Sequence, residues 1–167
     1  MLVSCSLVLE IKIVTELGQQ TTTDEVLEAI DLTGKAAIVT GASGGLGAET
    51  ARALASKGAA VTIAARDLNR AQAMADQIKE STGNPNVDVG ELELDKPYSV
   101  RAFAKNYLAN HNELNLLINN AGVMACPLSR TEQGWEMQFA TNHLGHFLLT
   151  CLLSPALIKG SPARVVN

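Results

Sequence analysis

The chain has 167 residues, 47% of them hydrophobic and 18% charged, which allows one globular domain with its own core and excludes intrinsic disorder. Its formal net charge of −4 argues against a nucleic-acid-binding protein, because phosphate contacts need a basic face. The three cysteines, Cys5, Cys126 and Cys151, are far apart and form no CxxC motif, so we expect reduced thiols in a cytoplasmic protein, with neither a disulfide framework nor a zinc site.

The N-terminal segment 1–20 lacks the features of a targeting sequence. Residues 2–14 are apolar, but no basic region precedes them and Glu10 and Lys12 interrupt them, so neither a secretory signal nor a membrane span fits. Alternating apolar residues from Leu7 to Ile13 are typical of a strand, and a poorly ordered extension is the alternative. We expect this segment to lie outside the folded domain.

Strands and helices alternate through the rest of the chain, residues 21–167. A capping-box spacing from Thr22 to Glu25 predicts a small helix reaching Ile30. Compact apolar runs predict five strands, at 35–40, 59–65, 87–94, 114–119 and 163–167. Helices are predicted at 45–57, 67–81, 97–110 and 131–159, the last with an interruption at Gly145 or an end before Pro155. This alternation predicts an α/β fold with a doubly wound parallel sheet.

A glycine-rich turn, TGASGGLG at 40–47, joins the first of these strands to its helix. Gly41 would allow the tight turn, Gly45 would let the main chain approach a pyrophosphate, and Gly47 would let the helix pack closely on the sheet. The helix N-terminus offers free N–H groups and a positive dipole end to phosphates. No Gly-Lys-Ser/Thr follows, so the turn predicts a dinucleotide site and excludes a Walker loop.

The end of the second strand indicates which dinucleotide binds. A site for an unphosphorylated ribose usually has an acidic residue at the end of this strand. Arg66 occupies that position here, and its guanidinium group can form a bidentate contact with a 2′-phosphate. Asp67 is the competing acid, and it is also well placed to cap the next helix. The sequence therefore favours NADP over NAD.

Three ordered motifs resemble the short-chain dehydrogenase/reductase family: Gly-x-x-x-Gly-x-Gly after Thr40, NNAG at 119–122 and TNHLGHFLLT at 141–150. The longer stretch around the last motif is most similar to the retinol-dehydrogenase-like and protochlorophyllide-reductase-like branch. The resemblance covers about 21–167. It implies a Rossmann-like fold and an NADP-dependent oxidoreductase that transfers a hydride between nicotinamide and a small carbonyl or alcohol substrate, and an apolar substrate is compatible with it.

The resemblance assigns roles to individual residues. It implies that the cofactor phosphates lie against Gly41, Ser43, Gly45, Leu46 and Gly47, and that the adenosine ribose passes beside Asn120, Ala121 and Gly122. For Asn119 and Asn120, hydrogen bonds that hold the sheet together are an equally good interpretation. Glu93 matches the family's adenine-contacting Asp and is one methylene longer.

Asn142 matches the family's active-site Asn, which helps to hold a water in a proton relay. His143 and His146 are three residues apart on the same predicted helix, but no further ligand cluster accompanies them, so we expect no metal site. The helix over 135–153 resembles one that many relatives use for dimerisation, which implies a homo-oligomer.

The family's catalytic Ser and its YxxxK motif are not found in this sequence. Tyr98 is followed four places later by Ala102, and Tyr107 by His111. We therefore expect the cofactor-binding part of a reductase, cut within its fifth strand and inactive alone, with an exposed strand edge that promotes self-association. A non-catalytic dinucleotide-binding module and an inactive truncated product are the alternatives.

Overall fold

A computed structural model describes residues 18–167. Its elements run in chain order as α1 (Thr23–Val26), β1 (Ala36–Thr40), α2 (Gly45–Ser56), β2 (Ala60–Ala65), α3 (Leu68–Thr82), β3 (Val87–Glu91), α4 (Pro97–Asn110), β4 (Leu116–Ile118), α5 (Met137–Phe139), a π-helical turn (Ala140–Leu144), α6 (Gly145–Lys159) and β5 (Arg164–Val166). The predicted strand at Leu7–Ile13 lies outside the described residues.

The five strands form one parallel sheet in the order β3-β2-β1-β4-β5. The chain moves outward from β1 through β2 to β3, then crosses back to β4 on the other side of β1. Val39 of β1 is in register with Ile63 on one side and with Ile118 on the other. The doubly wound α/β fold predicted from the sequence is confirmed, and its crossover point lies between the ends of β1 and β4.

Helices cover both faces of the sheet, and the central strands accordingly carry mostly apolar side chains on both sides. One core layer joins Val39 and Ile63 to residues of α2 and α3 such as Leu54 and Ile78. The other joins Leu117 to α4 and α6. Within residues 18–167, no helix is long and apolar enough to cross a membrane.

The predicted helix at 131–159 begins later than expected, at Met137. Residues before it turn at Gly134, whose φ is 83°, and Arg130 bridges Glu136 as in an antiparallel pair. The Glu136 carboxylate then accepts the N–H groups of Gln138 and Phe139, at 3.0 and 2.7 Å, and so caps the helix. The prediction was wrong here because a turn and a side-chain cap, which local propensity does not encode, fix the start.

The later part of the same helix also differs from the prediction. Gly145 does not interrupt it, and α6 continues through Pro155 to Lys159. Because Pro155 has no N–H for the Cys151 carbonyl, the Ser154 hydroxyl donates to that oxygen at 2.9 Å. Two other elements are shorter than predicted: β3 ends at Glu91, and α1 ends at Val26 although the capping box of Thr22 and Glu25 is present.

Asn115 joins the starts of two strands to the end of α6. Its side-chain oxygen accepts the N–H of Ala36 at 2.8 Å, and its amide nitrogen donates to the Gly160 carbonyl at 2.7 Å. The side chain is buried, so both backbone groups depend on it for a partner.

We expect Asn115→Ala to lower the free energy of unfolding by about 2–4 kcal/mol, because it leaves two backbone groups without partners. Urea titration followed by circular dichroism measures the change. The matched control is Asn112→Ala, at an exposed position three residues earlier, which we expect to change stability by less than about 0.5 kcal/mol. Equal losses in the two variants would contradict this role for Asn115.

Candidate functional site

The carboxyl ends of the strands surround a cavity of about 430 Å³. Its walls come from the loop after β1, the end of β2, the loop after β3 and the loop after β4, which is where a parallel sheet of this order binds ligands. Seven of the ten residues predicted to bind cofactor line it: Gly41, Ser43, Arg66, Glu93, Asn120, Ala121 and Gly122. Gly45, Leu46 and Gly47 lie in the first turn of α2, and Leu46 is 83% exposed.

The loop after β1 approaches its neighbours too closely for side chains at two glycines. Gly41 has φ 68°, and a Cβ there would lie 2.9 Å from the Ala121 Cα. At Gly47 a Cβ would lie 2.4 Å from the Asn120 amide nitrogen and 2.8 Å from the Gly41 carbonyl oxygen. The glycines therefore let the loops after β1 and β4 touch, which fits a cofactor laid across both.

The N-terminus of α2 carries no side-chain cap: Gly44 occupies the cap position and offers none. By contrast, Asp67 caps α3 by accepting the N–H of Arg70 at 3.0 Å. The first-turn N–H groups of α2 thus remain available to an anion beside the loop that turns at Gly41. This arrangement fits the phosphates of a dinucleotide.

Two arginines face the cavity from the start of α3. Arg66 follows β2, lines the cavity and is exposed, and its contact with a 2′-phosphate stays a prediction from the sequence. Arg70, which sequence reasoning missed, lies against the glycine-rich loop, where its Nε donates to the Ser43 carbonyl at 3.1 Å. The spacing of four residues from Arg66, one helical turn, is the signal that could have identified it. Asp67 has its carboxylate committed to the helix cap, as the sequence allowed.

Glu93 lies on the opposite wall, two residues beyond the end of β3. Its carboxylate forms an ion pair with Lys96 at 2.6 Å, and its backbone N–H donates to the Ser99 hydroxyl at 2.9 Å. This ion pair raises the pKa of Lys96. The structure therefore places Glu93 at the cavity with its charge already partnered.

Asn119 and Asn120 both make the sheet-stabilising hydrogen bonds that the sequence suggested as an alternative to ligand contact. The Asn120 amide donates to the Thr40 carbonyl at 2.9 Å, and the Asn119 amide donates to Asn167 Oδ1 at 2.8 Å. The Thr40 hydroxyl in turn accepts the N–H of Ala121 at 2.9 Å. The bonds of Asn120 and Ala121 fix the loop after β4 to the end of β1, and the bond of Asn119 links this loop to the residue after β5.

Asn142 lies in the π-helical turn, and its side chain is bound to the loop after β4. Its Oδ1 accepts the N–H of Val123 and its Nδ2 donates to the Val123 carbonyl, both at 2.8 Å. The amide thus pairs with loop backbone, and not with the backbone of its own helix. Gly122 lies next to this amide, and a Cβ added to Gly122 would lie 3.4 Å from Asn142 Oδ1.

The two histidines of the third motif contact different parts of the molecule. His143 is exposed and stacks between Phe139 and Phe147, with ring centroids 5.2 and 6.5 Å away. His146 is buried, with its Nε2 2.9 Å from the Thr40 hydroxyl. Among the described residues no group of three His, Cys, Asp or Glu side chains could hold a metal ion.

The five-stranded parallel sheet with a glycine-lined cleft at its crossover point has the Rossmann-type architecture. The short chain dehydrogenase family model matches residues 35–167. The chain therefore belongs to the short-chain dehydrogenase family.

Proteins of this family with known names or structures are similar to most of the chain. It is 52% identical over 138 residues to retinol dehydrogenase 11 of Mus musculus, covering 83% of this chain and 44% of that protein. It is 44% identical over 155 residues to the chloroplastic short-chain dehydrogenase TIC 32 B of Brassica napus, covering 90% of this chain and 48% of that protein. The chain thus spans about half the length of these curated relatives.

A solved structure agrees with this assignment. A metagenomic short-chain oxidoreductase in complex with NADP superposes with a TM-score of 0.71 at 34% sequence identity, covering 81% of this chain and 62% of that one. The fold thus occurs in a structure that holds the dinucleotide expected from the sequence.

We expect Gly47→Ala to weaken NADPH binding at least about tenfold and to lower stability by about 1–3 kcal/mol, because the new Cβ would collide with Asn120 and with the Gly41 backbone. Fluorescence titration with NADPH and urea unfolding measure the two effects. Gly18→Ala is the control, since a Cβ there meets nothing within 4 Å. An unchanged NADPH affinity in Gly47→Ala would show that this close approach does not shape the site.

Proposed function

We propose that this chain is the cofactor-binding part of an NADP-dependent oxidoreductase that interconverts a carbonyl and an alcohol. The observation that carries this proposal is the pair of arginines at the cavity, Arg66 and Arg70, beside an acid that is committed elsewhere, Asp67. Neither arginine forms an ion pair within residues 18–167, where the ion pairs involve Arg52 and Lys96. Two guanidinium groups without a carboxylate partner among the described residues suit a 2′-phosphate, which NADP carries and NAD does not.

The chain's residues would hold the cofactor along the edge of the sheet. The pyrophosphate would lie over the first turn of α2, with Gly41, Ser43, Gly45, Leu46 and Gly47 as its proposed contacts. Asn120, Ala121 and Gly122 would flank the adenosine ribose. Glu93 would approach the adenine, with its Lys96 ion pair setting the position of its carboxylate. A solved structure of similar fold that holds NADP supports the choice of this cofactor.

When bound, NADPH supplies the hydride that turns a carbonyl into an alcohol, and the reaction also needs a proton donor. Asn142 is the catalytic residue proposed for this chain. Neither tyrosine can act as the acid: Tyr107 is buried, its hydroxyl donates to the Glu113 carbonyl at 3.1 Å, and burial raises its pKa to about 12. Tyr98 lacks a Lys four residues later. We therefore propose that this stretch binds cofactor without turnover.

An apolar substrate is the class that the surroundings favour. The loop after Gly122 exposes Met124 and Leu128, which are 89% and 80% accessible. Such side chains next to a cofactor site favour an apolar ligand. The mouse relative is named for retinol, an alcohol with a long apolar chain, which agrees with this choice. The cytoplasmic location stays a prediction from the cysteines.

We expect Arg66→Ala and Arg70→Ala each to lower NADPH affinity about ten- to hundredfold and to leave NADH affinity unchanged, because each removes a charged hydrogen bond to the 2′-phosphate. Fluorescence titration with both nucleotides measures the effect, and the same samples are assayed for carbonyl reduction, with none expected. Arg101→Ala, an exposed arginine of α4, is the control. Equal losses for NADH and NADPH would contradict the assignment to NADP, and measurable turnover would contradict an inactive chain.

We further propose that a second copy of the chain covers the helix at 135–153. Phe139, His143 and Phe147 stack along one exposed side of this helix, with the two phenylalanines 53% and 63% accessible. A two-fold axis would place this aromatic row against its own copy, so that each ring is buried by an equivalent one.

We expect Phe147→Ser to shift the chain towards monomer, because it removes the more exposed of the two phenylalanines in the row. Sedimentation velocity across a range of protein concentrations measures the association. Tyr98→Ser is the matched control, since Tyr98 is similarly exposed, at 59%, but lies on α4. A monomeric wild-type chain would contradict the proposed second copy, and equal effects of both substitutions would place the contact elsewhere.

A further inference from the structure

His146 is a buried imidazole in the first turn of α6, and none of the proposed cofactor contacts uses it. Only 4% of the residue is exposed. Its Nε2 lies 2.9 Å from the Thr40 hydroxyl and its Nδ1 lies 3.1 Å from the Asn142 carbonyl oxygen. Both partners border the site: Thr40 immediately precedes Gly41, and Asn142 is the proposed catalytic residue.

The two contacts determine which ring nitrogen carries the proton. A carbonyl oxygen can only accept, so Nδ1 must donate to Asn142. In a neutral ring Nε2 is then an acceptor, and the Thr40 hydroxyl donates to it. The oxygen of that hydroxyl also accepts the N–H of Ala121. Burial lowers the pKa of His146, which favours the neutral ring that this pattern requires.

These hydrogen bonds form a closed circuit that links three parts of the fold. Thr40 at the end of β1 holds Ala121, and two residues further on Val123 is doubly bonded to the Asn142 side chain. The Asn142 carbonyl leads through His146 back to Thr40. The end of β1, the loop after β4 and the helix therefore cannot shift relative to one another without breaking a hydrogen bond.

This closed set of hydrogen bonds supports the helix at the point where the helix backbone is irregular. In the π-helical turn, the N–H of Gly145 bonds to the carbonyl of Ala140, five residues back. Such turns deviate from the regular hydrogen-bond ladder and often lie at functional sites. His146 follows directly and adds a side-chain bond to the Asn142 carbonyl within this turn.

We propose that His146 is a positioning residue: as a neutral imidazole protonated on Nδ1, it holds Asn142 and the loop at 120–123 in place against the glycine-rich loop. This role rests on the proposed cofactor binding, and His146 acts through its neighbours without touching cofactor or substrate. A side chain that only filled space could be replaced by any of similar volume. The positioning role, by contrast, requires a side chain that donates a hydrogen bond to the Asn142 carbonyl at one end and accepts one from the Thr40 hydroxyl at the other.

The test compares variants that keep different ends of the imidazole. H146Q can still accept from the distant Thr40 hydroxyl. H146N keeps only the local bond to the Asn142 carbonyl, with the same geometry by which the Asn110 amide donates to the Asn106 carbonyl at 2.8 Å. H146L keeps neither. We expect NADPH affinity to fall about tenfold in H146N and H146L and less than about threefold in H146Q.

Two measurements read the same role without cofactor. Nitrogen NMR of the wild-type chain is expected to show a protonated Nδ1 and an unprotonated Nε2 for His146. Amide hydrogen exchange at Val123 is expected to be faster in H146N than in wild type. H143N is the control for both the affinity and the exchange measurements, because His143 is exposed and bonds to neither loop.

Unchanged NADPH affinity in all three variants would overturn the proposal, because it indicates that His146 only fills space. An equal loss in H146Q and H146L would also overturn it, because the bond to Thr40 would then make no difference. An Nε2-protonated ring would overturn it independently. If the wild-type chain binds no NADPH, the proposed function fails. The ring tautomer and the Val123 exchange rates then still decide whether His146 positions the loop.

Discussion

The site depends on one close contact, between Gly41 at the end of β1 and Ala121 in the loop after β4. The two backbones are so close that a Cβ on Gly41 would lie 2.9 Å from Ala121. The register of the sheet produces this contact, because Val39 and Ile118 are partners and the next residues of each strand leave the sheet side by side. Thr40 then fixes the spacing, because its carbonyl oxygen accepts from the Asn120 amide and its hydroxyl oxygen accepts the N–H of Ala121.

Charge is distributed around this contact in a way that composition hides. The chain is acidic overall, yet Arg66 and Arg70 project into the cavity from one side of the crossover point, where α2 also presents its uncapped N-terminus. Three acids also line the cavity: Asp67 accepts one backbone N–H, Glu93 is paired with Lys96, and Asp95 forms no ion pair within residues 18–167. The placement of the two guanidinium groups beside the uncapped helix end, and not the net charge of −4, governs how an anion would bind there.

Order and type of the elements could be predicted from the sequence because short apolar runs bounded by glycine alternate with helical periodicity throughout. The start of the long helix could not, because the turn at Gly134 and the Glu136 cap depend on the bridge between Arg130 and Glu136. The same limit applies at the site. The glycine positions follow from the motif, whereas the contact of Arg70 with Ser43 and the burial of His146 require elements distant in sequence to meet.

Asn142 illustrates how the fold divides positioning from chemistry. Its amide is paired with the Val123 backbone, so the side chain fixes the distance between helix and loop and cannot swing freely towards a substrate. Its main-chain carbonyl is engaged by His146. A group held at both ends costs little further entropy when a ligand arrives, which makes it a good reference point for a reaction. The residues present thus specify where a cofactor would lie more completely than they specify a proton donor, since Tyr107 is sequestered in the core.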